Sequence, residues 1–479
     1  MIPHPLVSMF PDRFAVLQRA ILIFILAIMF VFAGQAYATV WYVHPDSALN
    51  AIQAGLDSCT AGDTVLVGAG IYYENIIWPY VQGISFISEH GPDTTIIDGN
   101  EDGTVIHMSL MQEDSTTTIN GFTIQNGYDW YGGGIYSVGG KPLISNNIIR
   151  NNVCEWPSKD ILTDGPPPQG GGIYTEWSSA VIVDNLIIEN SAQNGGGIAC
   201  FCDAANIATT IVNNTITSNT ADNGGGIYMD CPFTMCVIRD NTISYNTAYN
   251  GGGIACYYVF QPLLTIRKNV ITYNTADSAG GGIWCYVSSK PFIDSCTIAY
   301  NIGDGIYSGH FSAPIINFNN IVDNDGCGVR NGDSSVTVMA EHNWWGDATG
   351  PYHPTNPGGT GDTVSDYVDF DPWLTEPVGV EEHQSSISAQ MVLQVYPNPF
   401  RTLTEISVGT GHSAERLEIN IYDATGRLVS SYRPSPYVLR TTLVWDGKDD
   451  TGRRVPAGIY FVKLDTENSS ITQKVLIVR

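Results

Sequence analysis

Short segments in which isoleucine alternates with polar residues recur along the middle of the chain. Each copy has an Asn-x-Ile phrase, a short turn and then a Gly-Gly-Gly-Ile phrase. The glycine triplets occupy residues 132–134, 170–172, 195–197, 224–226, 251–253 and 280–282, with a degenerate copy at 303–307. The Asn phrases begin at Asn147, Asn185, Asn214, Asn241 and Asn269, followed by copies at Cys296 and Asn319. Period-two alternation predicts strands, and a repeat of 23 to 29 residues, broken by one longer interval, predicts a solenoid.

The solenoid is expected to consist of strands. The copies are rich in Gly, Asn, Thr, Ile and Tyr and lack the runs of helix formers that helical repeats need. Each copy therefore predicts one coil of a parallel β-helix, in which equivalent strands stack about 4.8 Å apart. Stacking would place the Asn side chains in ladders that satisfy their own hydrogen bonds from coil to coil. The Gly triplet would allow a positive φ at a corner.

The strand after each Gly triplet predicts an inner and an outer face. Its first and third positions are expected to point inward, because they hold Ile and then small or apolar residues. The second and fourth positions are expected to face solvent. The aromatic residues at these positions are the candidate ligand-binding residues: Tyr136, Tyr174, Phe201, Tyr228, Tyr257, Trp284, Tyr286 and Tyr307. Flat rings at coil intervals suit sugar rings; alternatively, they stack on each other and stabilise the sheet.

The Asn-x-Ile-x-x-Asn and Gly-Gly-Gly-Ile-Tyr phrases resemble those of right-handed parallel β-helix proteins of the pectin-lyase-like type, over roughly residues 40–374. The resemblance implies an all-β fold, with an N-terminal cap and first coils at 39–100 and a right-handed parallel β-helix at 101–374. Asn343-Trp344-Trp345-Gly346 resembles the terminal segment of such proteins, so these Trp residues are expected to cap the last coil. The fold hosts lyases, hydrolases, epimerases and non-catalytic surface proteins, so it does not decide the activity.

Catalytic residues are weakly indicated. In the resembled family, lyases use a basic residue with calcium held by carboxylates, but residues 39–390 contain only 8 Lys and Arg against 37 Asp and Glu. The clustered Asp residues of hydrolases with this fold are also missing from the pattern. Glu176 and Asp230, at the fourth strand position, are the candidate acid/base pair. We predict no metal site and no cofactor; calcium is an option that no motif indicates.

The N-terminus predicts export. Arg13 and Arg19 precede an apolar run at 20–33, and Ala36-Tyr37-Ala38 fits a small-x-small cleavage site. We therefore interpret residues 1–38 as a signal peptide cleaved near Ala38. The apolar run is shorter than the ~20 residues of a membrane span, so cleavage is favoured over an anchor and no span is expected in the mature chain. A short amphipathic helix at 46–58, capped by Asp46 or Ser47, would then cover the open end of the solenoid.

One insertion and several cysteines stand out in the repeat region. The interval from Asn147 to Asn185 carries extra residues at 153–169, which would form either a functional loop or a Pro-rich excursion. Cys231 and Cys236 bracket a short turn and could close it with a disulfide, whereas Cys256 and Cys285 are expected as packed core thiols. The ten cysteines match no zinc or iron–sulfur spacing.

A second domain is predicted at residues 391–479, after a linker at 375–390. Here 11 basic residues face 9 acidic ones, and about seven short alternating strands predict a β-sandwich. The phrases Tyr396-Pro397-Asn398-Pro399-Phe400 and Val455-Pro456-Ala457-Gly458-Ile459-Tyr460 resemble C-terminal sorting domains of type IX secretion cargo and the related Ig-like domain of flagellar hook-capping proteins. The resemblance implies passage across the outer membrane and attachment to the cell surface; alternatively, the domain is a plain Ig-like spacer.

Together these features predict a secreted or surface-attached bacterial β-helix protein. The formal net charge of −26 would repel nucleic acid and anionic headgroups, so we expect no nucleic-acid partner. We expect a monomer that binds an extracellular glycan or cell-surface component without catalysis, and that engages the secretion machinery through 391–479. The alternatives are a polysaccharide lyase or glycoside hydrolase acting in a groove on the solenoid, and a structural stalk without a ligand.

Overall fold

The computed structural model describes residues 38–110, 116–156, 167–203, 207–260 and 263–378, and then 392–396, 404–409, 417–423, 425–432, 440–445, 447–466 and 470–477. The predicted signal peptide, apart from Ala38, and the centre of the 153–169 insertion lie outside these residues. The chain divides into two compact units, one ending at Val378 and one beginning at Gly379. No helix in the described part of the chain is long and apolar enough to cross a membrane.

The first unit is a parallel β-solenoid, as predicted. We label its sheets A to D in the order in which they begin along the chain. Sheet A has 13 strands: Val40–Val43, Thr64–Val67, Ser85–Ser88, Thr118–Asn120, Leu143–Ser145, Val181–Val183, Thr210–Val212, Val237–Arg239, Thr265–Arg267, Phe292–Asp294, Ile315–Asn317, Val338–Met339 and Val368–Asp369. Sheet B has 10 strands: Gly70–Tyr73, Thr95–Asp98, Thr123–Gln125, Ile148–Arg150, Leu186–Ile188, Thr215–Thr217, Thr242–Ser244, Val270–Thr272, Thr297–Ala299 and Asn320–Val322.

Two further sheets, C and D, contribute to the coils, and sheet D is present in only six of them. Sheet C holds the strands that follow the Gly triplets: Ile76–Ile77, Ile106–Ser109, Ile135–Val138, Ile173–Glu176, Ile198–Phe201, Ile227–Asp230, Ile254–Tyr257, Ile283–Tyr286, Ile306–Ser308 and Val329–Asn331. Sheet D precedes the triplets and has six strands: Tyr128–Asp129, Val153–Cys154, Ser191–Asn194, Thr220–Asn223, Thr247–Asn250 and Thr275–Ala279. A coil therefore runs from sheet A through B and D to C, and a short two-stranded sheet, Pro351–Tyr352 with Gly361–Thr363, lies near the end.

Equivalent residues of successive coils pair in register and form the core. Ile198 pairs with Ile227, which pairs with Ile254, and all three are fully buried. The third-position residues are buried beside them, as predicted; for example, Cys256 and Cys285 are paired, buried free thiols. Stacked isoleucine fills the narrow interior because each side chain lies on its copy in the next coil.

The predicted asparagine ladders are confirmed, and there are two of them. In the first, the side-chain oxygen of each residue accepts hydrogen bonds from both the backbone and the side-chain amide of the residue one coil earlier, through Asn147, Asn185, Asn214, Asn241 and Asn269. The second runs five residues further on, through Asn152, Asn190, Asn219, Asn246, Asn274, Asn301 and Asn324. These buried amides satisfy turns that would otherwise leave polar backbone unpaired.

The Gly triplet is required for two different reasons. Its first member has a positive φ, for example 66° at Gly224, as expected of a corner residue. Its second member has no room for a side chain, because a Cβ on Gly225 would lie 2.6 Å from the carbonyl oxygens of Gly252 and Thr247 in the next coil. The solenoid therefore packs backbone on backbone at this corner.

The N-terminal helix is shorter than predicted. It covers only Ile52–Asp57, and neither Asp46 nor Ser47 caps it. Instead the carboxylate of Glu74 accepts hydrogen bonds from the backbone N–H groups of Ile52 and Gln53, at 2.8 and 2.9 Å. A side chain from the next coil therefore satisfies the helix start, which a local sequence pattern could not show.

The end of the solenoid and the second unit also match their predicted classes. Trp345 is fully buried in the last coils, in line with the expected cap. The second unit has an antiparallel three-stranded sheet, Val392–Tyr396, Thr404–Gly409 and Arg440–Trp445, and an antiparallel four-stranded sheet, Leu417–Asp423, Leu428–Tyr432, Gly458–Thr466 and Ser470–Ile477. Buried residues of both sheets form one core around Trp445, as in a β-sandwich.

Candidate functional site

The outer face of sheet C carries the predicted aromatic residues, but much of it is covered. The expected exposure is wrong for three of the second-position residues, because Tyr174, Tyr228 and Trp284 are all at least 93% buried. They form a second apolar cluster outside the sheet together with Ala199, Ala255 and Ala279. Partly buried aromatic residues pack around this cluster: Tyr131, Tyr136, Phe201, Tyr257, Tyr286 and Tyr307. The partly accessible members of the predicted set are therefore Tyr136, Phe201, Tyr257, Tyr286 and Tyr307.

The covering comes from rings of the same coil and of neighbouring coils. Tyr136 and Tyr174 stack with ring centroids 5.3 Å apart and planes 12° from parallel. Trp284 stacks on Tyr286 at 4.8 Å and 13°. Tyr228 contacts the ring of Tyr257 at 6.2 Å, across the small side chain of Ala255. Such contacts bury ring faces that a sugar would otherwise use, so they favour a stabilising role for the second-position residues.

The two candidate carboxylates lie on the same face. Glu176 pairs in register with Phe201, which pairs with Asp230, so the two carboxylates are separated by two coil spacings, about 9.6 Å between backbones. Burial and the nearby charge of Asp203 raise the pKa of Asp230 to about 6. Glu176 instead accepts a hydrogen bond from the hydroxyl of Tyr136. This face therefore carries two different carboxyl groups: Asp230, which keeps its proton in weak acid, and Glu176, which accepts a hydrogen bond from Tyr136.

A more open polar cleft, which the sequence-based candidates did not include, lies on the outer face of sheet D. It has a volume of about 590 Å³. Its lining consists of Thr220, Ala221, Asp222, Asn223, Thr247, Ala248, Tyr249, Asn250 and Asp277. Tyr249 is 59% exposed and pairs with Asp222 in the register of the sheet. The repeated Thr-Ala-x-Asn phrase at 220–223 and 247–250 was visible in the sequence and marks this face.

Amide side chains continue along the cleft. The side-chain nitrogen of Asn223 donates to Asn194 at 2.9 Å, and that of Asn250 donates to Asn223 at 3.0 Å. Hydroxyl, amide and carboxylate groups therefore lie in rows along the solenoid axis, with one exposed aromatic ring between two carboxylates. This combination supplies hydrogen-bond donors, acceptors and an apolar face. A sugar chain carries hydroxyl groups and apolar ring faces, so the two surfaces are complementary.

Exposed tyrosines lie at the corner that leads into sheet D. Tyr245, Tyr273 and Tyr300 are 45–59% exposed and stack with centroids 5.2 and 5.3 Å apart. All three have φ of 57°, in a region that bulky side chains rarely adopt. Ser218 and Glu189 have the same φ at the equivalent place in earlier coils, so the corner imposes this conformation and tyrosine is not needed for it. The row of rings borders the cleft because Asn246 alone separates Tyr245 from Thr247.

Comparison with known families agrees with this architecture. The family described as right handed beta helix region matches residues 93–259 and 210–345, more than half of the chain, and the protein belongs to it. Residues 394–478 match the secretion system C-terminal sorting domain. The protein is therefore a β-helix protein with a type IX secretion sorting tail, and such a tail implies secretion or placement on the outer surface. No curated protein matches the chain.

Solved structures give only partial overlaps. PorZ of Porphyromonas gingivalis, an essential surface component of the type-IX secretion system, is 26% identical over 18% of this chain and 11% of its own, with a TM-score of 0.15. Dimeric latent PorU from P. gingivalis is 20% identical over 22% and 10%, with a TM-score of 0.16. The chitinase ChiW from Paenibacillus sp. str. FPU-7 is 10% identical over 77% of this chain and 24% of its own, with a TM-score of 0.16. The chain spans about a tenth of the length of PorZ and PorU, so their activities are not carried over to it.

Proposed function

We propose that this exported protein recognises a neutral extracellular glycan, or a glycan-bearing cell surface, without chemical turnover. The observation that carries the proposal is the open cleft of about 590 Å³ on sheet D, where Tyr249 lies among Thr, Asn and Asp side chains. A ligand lying along the solenoid axis would meet the same kinds of group in each coil, which suits a polymer of repeating sugars. The predicted signal peptide at 1–38 and the sorting tail would bring this surface outside the cell.

Charge limits the class of glycan. Residues 39–390 carry 37 acidic against 8 basic side chains, and two carboxylates, Asp222 and Asp277, line the cleft itself. An anionic polysaccharide would be repelled at low ionic strength. A neutral chain would instead offer hydroxyl groups that donate to these carboxylates, and charge-assisted hydrogen bonds of this kind are the stronger ones.

The test is a binding screen with the full-length protein on arrays of neutral and anionic glycans, followed by calorimetry on each neutral hit. We expect Tyr249→Ala and Asp222→Asn to weaken binding roughly tenfold or more, because each removes a group in the centre of the cleft. Tyr352→Ala is the matched control, since Tyr352 is similarly exposed, at 48%, and does not line the cleft. Loss with Tyr257→Ala or Tyr286→Ala, but not with Tyr249→Ala, would move the site to sheet C; no binding to any neutral glycan would contradict the proposal.

One observation favours a second function, hydrolysis of a glycosidic bond with inversion. The raised pKa of Asp230 suits a general acid, and backbones about 9.6 Å apart allow the two carboxyl groups to approach the ~6.5–9.5 Å separation found in inverting enzymes. Against it, the ring of Phe201 lies between the two carboxylates in the register of the sheet. Release of shortened sugars by the wild-type protein, abolished in both Asp230→Asn and Glu176→Gln, would favour this function over simple recognition.

A further inference from the structure

Three cysteine thiols meet inside the solenoid where sheet C turns into sheet A. Cys202 and Cys231 each follow the last residue of a sheet C strand, in two successive coils whose residues Phe201 and Asp230 are paired. Cys236 comes just before the sheet A strand Val237–Arg239 and is separated from Cys231 by a four-residue turn. The three sulfur atoms all lie within 4.8 Å of one another. The three residues are at least 99% buried, and all are free thiols.

The arrangement exceeds what a disulfide needs. A disulfide uses two sulfur atoms, and the predicted Cys231–Cys236 bridge would leave Cys202 as a buried thiol against it. Three thiolates bound to one ion through bonds of about 2.3 Å would lie about 3.8–4.0 Å apart, which agrees with the observed limit of 4.8 Å. By contrast, Cys256 and Cys285 form only a pair in register, without a third sulfur ligand in the described part of the chain.

The surroundings of the three sulfurs are also suited to thiolates. The hydroxyl of Thr234 lies 3.3 Å from the sulfur of Cys236 and is placed to donate to it. The hydroxyl of Thr209 lies 3.9 Å from the sulfur of Cys202 but donates its hydrogen to the carbonyl oxygen of Ser178. Outer groups of this kind orient ligands and reduce the cost of deprotonating them.

We propose that Cys202, Cys231 and Cys236 bind one soft, thiophilic metal ion through three thiolates. Thiolate ligands select ions such as Cu(I) and Zn²⁺ over the hard ions that prefer oxygen. A closed site with three sulfur ligands suits a three-coordinate ion, whereas structural zinc sites take four ligands. The bound ion would join two successive coils to the turn at 232–235, and would keep the three thiols from oxidation after export. The cysteine spacing gave no sign of this site, because its ligands come together only through the stacking of coils.

The first experiment uses the full-length protein, purified under reducing and anaerobic conditions, with Cd²⁺ as the spectroscopic probe. We expect ultraviolet thiolate-to-metal absorption that saturates at one Cd²⁺ per chain. Cys202→Ala, Cys231→Ala and Cys236→Ala should each lose this tightly bound ion, whereas Cys256→Ala, at a buried thiol outside the cluster, should keep it. An unchanged stoichiometry in all three cluster variants would overturn the proposal.

A second measurement does not depend on whether the variants fold. X-ray absorption of the Cd²⁺-loaded wild-type protein should show a shell of three sulfur atoms, and a shell of oxygen atoms alone would refute the site. Peptide mapping of protein purified without reductant or chelator provides the competing outcome. A disulfide between any two of the three cysteines, together with no Cd²⁺ absorption after reduction, would show that the cluster serves as a disulfide store.

Discussion

The side-chain oxygen of Asn269 accepts two hydrogen bonds from Asn241, one from its backbone N–H and one from its side-chain amide, both at 3.0 Å. The side-chain nitrogen of Asn241 also donates to the backbone carbonyl oxygens of Ile211 and Arg239, both at 2.9 Å. One buried amide thus joins three successive coils. Because buried polar groups without partners are costly, each ladder residue stabilises both neighbours as well as its own turn.

Replacing Asn241 with Ala should therefore destabilise the solenoid by roughly 3 kcal/mol, since several buried backbone groups lose their partners at once. The measurement is the denaturant midpoint of the solenoid transition, followed by circular dichroism. Asn50→Ala is the control, because Asn50 is exposed and its φ is not positive. Equal shifts in the two variants would show that the ladder contributes no more than a surface residue.

At Cys296 an asparagine can be added rather than removed, because this residue occupies a ladder position but has no side-chain amide. Its sulfur is 3.5 Å from the backbone nitrogen and 3.9 Å from the side-chain nitrogen of Asn269, longer than the Asn–Asn contacts. Cys296→Asn should restore the ladder and raise stability by about 1 kcal/mol. Thermal unfolding at fixed pH would detect this as a higher midpoint; a lower midpoint would mean that the coil cannot accommodate the amide.

A side chain at the second glycine of a triplet is expected to destabilise the solenoid strongly at that corner. Gly225→Ala would push a methyl group against the carbonyls of Gly252 and Thr247 at 2.6 Å, so the coils must separate, at a cost of about 3 kcal/mol. Gly358→Ala is the control, because nothing lies within 4 Å of a Cβ at that position. Chemical denaturation of both variants would compare the two, and similar midpoints would contradict the close packing of coils at the triplet.

The sequence indicated much of this architecture because its main determinants are local and repeated. The spacing of Asn147, Asn185 and Asn214 defined the coils, and alternation in the strand after each triplet assigned Ile198 and Ile227 to the core. Such features recur once per coil, so the fold places identical residues on top of each other and the prediction transfers directly to three dimensions.

The missed features depend on contacts between different parts of a coil or between coils. Glu74 caps a helix that begins at Ile52, in the preceding coil, and no local pattern contains both. Alternation correctly turned Tyr228 away from the interior, but it could not show that the ring of Tyr257 packs against it. The cleft at Tyr249 lies on the Thr-Ala-x-Asn strands directly before the triplets, where the sequence shows no row of aromatic residues like the one after the triplets.

Because the second-position rings are buried, we expect their removal to lower the stability of the solenoid rather than to weaken ligand binding directly. Tyr228→Ala should destabilise the solenoid by ~3 kcal/mol, because a largely buried ring leaves a cavity beside Ala255. Tyr249→Ala should change stability by less than about 0.5 kcal/mol, since its ring is exposed. Thermal unfolding of the two variants side by side separates the roles, and a neutral Tyr228→Ala would instead support an open ligand surface on sheet C.

The half-buried carboxyl of Asp230 predicts a defined pH dependence. Burial and Asp203 raise its pKa in the folded protein from the ordinary 3.8 to about 6, so the folded state binds the proton more tightly than the unfolded chain does. The contribution of this group to the free energy of unfolding is therefore largest below about pH 4. It falls as the pH rises towards about 6, because the folded protein must then hold the charged carboxylate away from water. The loss is at most about 3 kcal/mol, since each pKa unit corresponds to about 1.4 kcal/mol.

Asp230→Asn should remove this dependence and be more stable than the wild type at pH 7, with the difference vanishing near pH 4. Unfolding midpoints across this range would measure it, with the exposed Asp325→Asn as control, and an Asp230→Asn variant that is less stable at pH 7 would mean that the ionised carboxylate is stabilised in the folded protein.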